Sequence, residues 1–172
     1  MKKYNLSLVL LLVVIPVVAQ THVTSQSVTV SGLVEKEVVL GKAEILTKPS
    51  VSIPDVVITS HTGESRGTAK GLKGVLVRDL HGSVTIKAES PKVLSEFYLT
   101  FIASDGYTVV FSWNELFNSP TGDNCFLITE KEGKMFGEIP DTILVITPTD
   151  VRTGRRNIKG LSRIVVARVG KE

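Results

Sequence analysis

Only one cysteine, Cys125, stands among the 172 residues. No disulfide can therefore form within the chain, and its core must hold the fold unaided. Cys125 opens the apolar run Cys125-Phe126-Leu127-Ile128, where the plain expectation is a buried small hydrophobe with no neighbouring His or Lys to activate it. Histidine is almost as scarce. His22, His61 and His81 are spread along the chain with no metal-ligand spacing. The chain shows no Ser/His/Asp ordering, no Gly-x-Ser-x-Gly elbow, no Gly-rich phosphate loop ending in Lys-Ser/Thr and no carboxylate pair at a suggestive spacing. Nucleophilic catalysis has no footing, and no catalytic or metal-ligating residue is assigned. Internal repeats and low-complexity segments are absent too.

Charge of one sign is also lacking. Of 20 basic residues against 17 acidic, Lys2 and Lys3 open the chain, and removing them leaves 18 against 17. A balance that even gives a nucleic-acid partner no support. After the first 19 residues no stretch approaches the roughly 20 apolar residues that a membrane-spanning helix needs, and no cysteine near that point offers a lipid anchor.

Lys2-Lys3, the apolar stretch Leu6 to Val18 and the small residue Ala19 have the layout of a secretory signal peptide. The expectation is a leader over residues 1–19, cleavage after Ala19, and a periplasmic or secreted domain over residues 20–172, near the common size for one domain.

The remaining pattern reads as an α+β, strand-dominated domain with few short helices. Val28, Val30 and Val38-Val39-Leu40 alternate around the charged Glu35-Lys36-Glu37. Val56-Val57-Ile58 reads as a short buried strand between Pro54 and a polar, glycine-punctuated loop from Ser60 to Gly71. Loops of that length in compact domains tend to carry function. Val75, Leu76, Asp79 and Leu80 predict a helix capped by Gly82. Phe97, Leu99, Phe101 and Ala103 alternate before Asp105-Gly106, and Tyr107, Val109, Phe111 and Trp113 alternate after it, which predicts a hairpin with a tight primed turn. Ser112 and Glu115 have capping-box spacing for a short helix from Trp113 to Phe117. Phe126 to Thr129, Ile143 to Thr147 and Ile164 to Val169 read as the closing strands.

Two segments invite a chemical reading. One is the hairpin tip Ser104-Asp105-Gly106-Tyr107. The other is the basic run Arg152, Arg155, Arg156 and Lys159, interrupted by Gly154 and Gly160, whose guanidinium forks and backbone amides suit a phosphate. A charged run between strands is equally what a solvated turn looks like.

Taken in order, Val28 to Leu40, Ser60 to Gly71, Leu72-Lys73-Gly74-Val75-Leu76-Val77-Arg78-Asp79-Leu80, Asp105-Gly106-Tyr107, Val145-Ile146-Thr147-Pro148 and Asn157-Ile158-Lys159-Gly160-Leu161 resemble the molybdopterin-binding domain of sulfite-oxidase-like oxidoreductases. The resemblance is collinear over most of residues 20–172 and rests on order more than on any one motif. It implies a pterin-phosphate or other anionic ligand held by Arg155, Arg156 and Lys159, with Arg66 near Ser60 and Thr62 facing the same anion. It also implies a metal-binding cysteine, and at that place the chain reads Thr59-Ser60-His61-Thr62-Gly63. Ser60 and His61 are the nearest substitutes, with oxygen and nitrogen donors where the family has a soft thiolate. The resulting expectation is an exported binding module, not catalytic by itself, for which molybdopterin enters only through the resemblance. Two other readings stand beside it. One is a molybdopterin-dependent oxidoreductase or its subunit, with Ser60 or another chain supplying the ligand. The other is an envelope scaffold that binds a protein partner.

Overall fold

A computed structural model describes residues 25–170; the expected leader and its cleavage point lie outside the described residues. In chain order the elements are β1 (Ser27–Gly32), β2 (Val38–Gly41), the one-turn helix α1 (Lys42–Ile45), β3 (Ser50–Ile53), β4 (Val56–Thr59), β5 (Ser65–Ala69), β6 (Leu72–Leu76), β7 (Phe97–Ala103), β8 (Thr108–Ser112), α2 (Trp113–Phe117), β9 (Phe126–Lys131), β10 (Lys134–Met135), β11 (Val145–Ile146) and β12 (Leu161–Arg168). Short 3-10 turns lie at Val77–Ser83, Pro91–Glu96, Gly122–Asn124 and Thr153–Arg156. Strands dominate and every helix is short, which is the architecture expected from the sequence.

Three layers are built from these strands. The first sheet runs β2-β1-β12-β7-β8, with β1 parallel to β12 and every other neighbour antiparallel. The second runs β10-β9-β6-β3, with β11 also on β9, and the third is the two-stranded ribbon β4-β5. Side chains explain the stacking. Successive residues of a strand face opposite sides, and on the second sheet both sides are apolar. Val75, Leu127, Ile143 and Val145 join the large core shared with the first sheet. Leu72, Phe126, Ile128, Leu144 and Ile146 join a smaller core under the ribbon with Val56 and Ala69. The middle sheet is thus covered on both faces, so Phe126 to Thr129 are all buried without alternation.

The hairpin of β7 and β8 forms as expected, but its turn is of another kind. Gly106 alone has a positive φ, +87°, its N–H donates to the Ala103 carbonyl at 3.0 Å, and Ala103 N–H donates to Tyr107 O at 2.9 Å. The connection is therefore a three-residue loop closed by a left-handed glycine, not a primed two-residue turn. The capping box is present at α2: Ser112 Oγ accepts from Glu115 N–H at 3.1 Å, and Glu115 Oε2 accepts from Ser112 N–H at 2.8 Å.

Three expectations are corrected. The segment Ser60 to Gly71 is not a long loop, since Ser65–Ala69 pairs with β4. Ser65 to Thr68 are exposed in succession, so no apolar alternation marks it. The same geometry leaves Val57 half-exposed, and only Val56 of the expected buried trio is fully covered. The helix read over Val75 to Leu80 is a strand end followed by the Val77–Ser83 turn. Pairing of β6 with both β3 and β9 overrides helical spacing there, and Gly82 adopts no left-handed conformation.

Leu127 is fully buried between the first two layers, whereas Val110 on β8 is 54% exposed. Leu127→Ala should cost about 2–5 kcal/mol of unfolding free energy through lost burial and a cavity, and Val110→Ala less than about 1 kcal/mol. Urea denaturation checks this, and comparable small losses in both variants would contradict the layering.

Candidate functional site

The basic segment reaches the ribbon through one threonine. Thr153 is buried; its Oγ1 accepts from Thr59 N–H at 3.0 Å and donates to the Val57 carbonyl at 2.6 Å. One hydroxyl thereby does for the edge of β4 what a neighbouring strand would do, satisfying a donor and an acceptor that burial would otherwise leave unpaired. Gly154 follows at the point of closest approach, where a Cβ would overlap the Thr59 carbonyl oxygen. Two further bonds complete the seam. Tyr107 Oη donates to the Arg155 carbonyl at 2.7 Å, and Arg152 Nη1 donates to the His61 carbonyl at 3.1 Å. Three segments distant in sequence therefore meet: residues 59–63, the Asp105-Gly106-Tyr107 turn and residues 152–155.

Between them lies an open groove of about 530 Å³ bordered by Ser60, His61, Tyr107, Thr108, Gly154 and Arg155. Ser60 sits at the tip of the β4-β5 hairpin and is 8% exposed. Its Oγ accepts from Thr62 N–H and Glu64 N–H, each at 3.2 Å, and shares a 2.7 Å bond with the Thr62 hydroxyl. These bonds hold the tip, as serine hydroxyls do in tight turns. Arg155 is exposed, and among the described residues its guanidinium has no carboxylate partner.

Arg156, next in the chain, faces inward. It is bidentate to Asp150, with Nε–Oδ2 at 2.7 Å and a second bond from Nη2 to Oδ1, and its Nη1 donates to Glu115 Oε1 at 2.9 Å. Its guanidinium also lies over the Phe111 ring, 4.8 Å from the centroid. The Asp150 hydrogen bonds outweigh burial and hold the guanidinium above its usual pKa. Burial alone would raise the Glu115 carboxyl, but the Ser112 N–H and the Arg156 guanidinium together hold it below the ordinary range. Arg156 thus ties the basic turn to the N-terminus of α2, and its fork is occupied by protein carboxylates.

Arg66 and Lys159 lie elsewhere. Together with Lys131, Asp141, Asn157 and Gly67 they border a second depression, of about 260 Å³. Lys159 Nζ is 3.3 Å and Lys131 Nζ 3.6 Å from the two oxygens of Asp141. Thr59 borders the first groove and Ile58 the second. Consecutive strand residues face opposite sides, so the two depressions lie on opposite faces of β4. The six residues singled out from the sequence therefore divide three ways: Ser60, His61 and Arg155 in the groove, Arg66 and Lys159 in the cleft behind it, and Arg156 in an internal ion-pair network.

The donor set at the hairpin tip does not suit molybdenum. Ser60 Oγ is committed to its own turn, His61 is exposed without a second donor beside it, and among the described residues no group of three or more His, Cys, Asp or Glu side chains converges. Cys125 does not replace the missing thiolate. It is fully buried, and desolvation pushes its thiol up to about 12. His81 packs edge-on against Trp113 and Phe117, and burial lowers its pKa. Thr153 was not marked by the sequence pattern, because a lone threonine beside a basic run carries no periodic signal, and Asn157 was marked only as the start of the segment Asn157 to Leu161 and not as a site residue.

No protein-family model matches the chain, and no curated protein matches it. Among solved structures it is similar to the sulfane dehydrogenase SoxCD from Paracoccus pantotrophus, with a TM-score of 0.63 at 14% identity over 88% of this chain and 41% of that one. The chain spans well under half the length of that protein, and at this identity the likeness is one of fold. The strand-dominated architecture is therefore shared with a distant oxidoreductase chain.

Because the folded-state pKa of Glu115 is depressed, its pairing with Arg156 stabilises the protein above the unfolded value of 4.5 and is lost as pH falls through the folded one. The melting temperature of the wild type should then fall more steeply below that pH than that of Glu115→Gln, which no longer titrates there. Parallel curves from thermal scans between neutral and acid pH would contradict the network.

Proposed function

We propose that this protein is an exported binding module that uses a sulfite-oxidase-like scaffold to hold an anionic ligand of pterin-phosphate type, without catalysing a reaction by itself. The observation that carries the reading is the groove at which the hairpin turn, the serine-tipped ribbon and the basic segment converge, with Arg155 at its edge unpaired by any carboxylate among the described residues. Its volume of about 530 Å³ falls within the roughly 300–1,000 Å³ of sites for compact organic ligands. Arg155 presents a planar fork to an oxyanion and His61 a second nitrogen donor. The leader pattern of Lys2 to Ala19 supports the export part of this reading; no helix among the described residues is long and apolar enough to cross a membrane.

A molybdopterin-dependent oxidoreductase or its subunit is the second reading, favoured by the fold shared with a sulfane dehydrogenase. The residues at the hairpin tip argue against a metal held by this chain alone, while an anionic tail fits Arg155. A role as an envelope scaffold for a protein partner would leave the groove without a ligand.

Guanosine monophosphate, a ring bearing a phosphate, serves as a probe. It should bind saturably in the millimolar range or tighter, and Arg155→Ala should weaken it about tenfold, the loss of one charge-assisted contact. The melting temperature should stay unchanged, since an exposed arginine adds little to the core. Equal affinity in both proteins, or no binding, would overturn the anion reading. About one molybdenum per chain in protein from a host able to make molybdopterin, with pterin fluorescence after acid oxidation, would establish the oxidoreductase reading in its place.

A further inference from the structure

The cleft behind β4 has a chemistry of its own. Arg66, Lys131 and Lys159 bring three cations to about 260 Å³, opposed by Asp141 and Glu132. Both lysines lean on the one Asp141 carboxylate, at 3.3 and 3.6 Å. Each ammonium has three donors and spends at most one there. Arg66 is exposed on β5 and has no carboxylate partner among the described residues. A dianion entering the cleft therefore finds donors still unspent. Acceptors border the same cleft: the Asp141 and Glu132 carboxylates, and Asn157, whose Oδ1 is buried with no hydrogen-bond partner. Such an oxygen is a standing cost that a donor from a ligand would lift. Ile58, Leu144 and Ile146 contribute apolar lining. Gly67, at φ +130°, also borders the cleft, and nothing lies within 4 Å of where its Cβ would be.

We infer that this cleft is a second binding site, separate from the groove at Arg155, and that it takes a small phosphorylated polyol such as a sugar phosphate. The phosphate meets Arg66, Lys131 and Lys159; the hydroxyl groups donate to Asn157, Asp141 and Glu132; the carbon skeleton lies on Ile58 and Leu144. A bare phosphate uses only the first of these three contacts. Because Ile58 and Thr59 face opposite sides of one strand, a single small molecule cannot span both depressions.

Calorimetric titration with glucose 6-phosphate and with inorganic phosphate tests the inference. Glucose 6-phosphate should bind about tenfold tighter than inorganic phosphate. Arg66→Ala, on the solvated ribbon, should weaken it about tenfold, and Asn157→Ala should erase most of the preference for the sugar phosphate. Arg155→Ala should bind glucose 6-phosphate as the wild type does. That control separates the two sites: failure of guanosine monophosphate to bind the groove leaves these outcomes untouched. The inference is overturned by no saturation up to about 10 mM glucose 6-phosphate, by equal affinity for both probes, by an Arg66→Ala protein that binds unchanged, or by loss of binding in Arg155→Ala.

Discussion

The two hydrogen bonds of the Thr153 hydroxyl to the backbone of β4, from Thr59 N–H and to Val57 O, are the constraint on which the candidate site depends. Each such bond contributes only about 0.5–1.5 kcal/mol net, so their importance is positional. They fix where residues 152–156 lie, and from that position Arg155 faces the groove, Arg156 turns into the protein and Lys159 emerges on the far side of the ribbon. Gly154 makes the approach sterically possible, and the Tyr107 hydroxyl closes the opposite side by holding the Arg155 carbonyl.

This seam is supported from below by the middle sheet. Its strands send alternate side chains into two separate cores, so the ribbon is seated on a rigid apolar surface and does not rely on its own two strands for stability. Arg156 joins the layers in a second way, since its ion pairs with Asp150 and Glu115 and its position over Phe111 link the basic turn to α2 and β8. A paired, half-buried arginine of this kind is a structural tie. Of the basic run, Arg152, Arg155 and Lys159 are exposed, and Arg152 is held by its bond to the His61 carbonyl.

The architecture was legible in the sequence where one face of a strand met solvent. Alternation from Phe97 to Trp113 and the Asp-Gly step marked the β7-β8 hairpin, and Ser112 with Glu115 marked the start of α2. Where a strand was buried on both faces or solvated on both, the signal failed for physical reasons. Ser65 to Thr68 looked like loop because these positions are polar or glycine and all exposed, and Val75-Leu76 looked helical because its apolar residues serve two cores at once. The site was half legible. The hairpin turn, the Ser60 tip and the basic segment were each visible, and the order of the segments carried the resemblance to a sulfite-oxidase-like fold. Their division between two faces of β4 was not visible, because it follows from which side of a single strand each neighbour packs against.

The central claim is that Thr153 preorganises the groove by docking the basic segment on β4. Amide NMR during a titration of wild type and Thr153→Val with guanosine monophosphate tests it most directly, since valine keeps the shape and removes both hydrogen bonds. In the wild type, shifts should concentrate at Ser60, His61, Tyr107, Gly154 and Arg155. In Thr153→Val the Thr59 amide should lose its protection and the shifts at those five residues should vanish at the same ligand concentration. A Thr153→Val protein that binds with unchanged shifts and affinity, or wild-type shifts confined to other residues, would contradict the account.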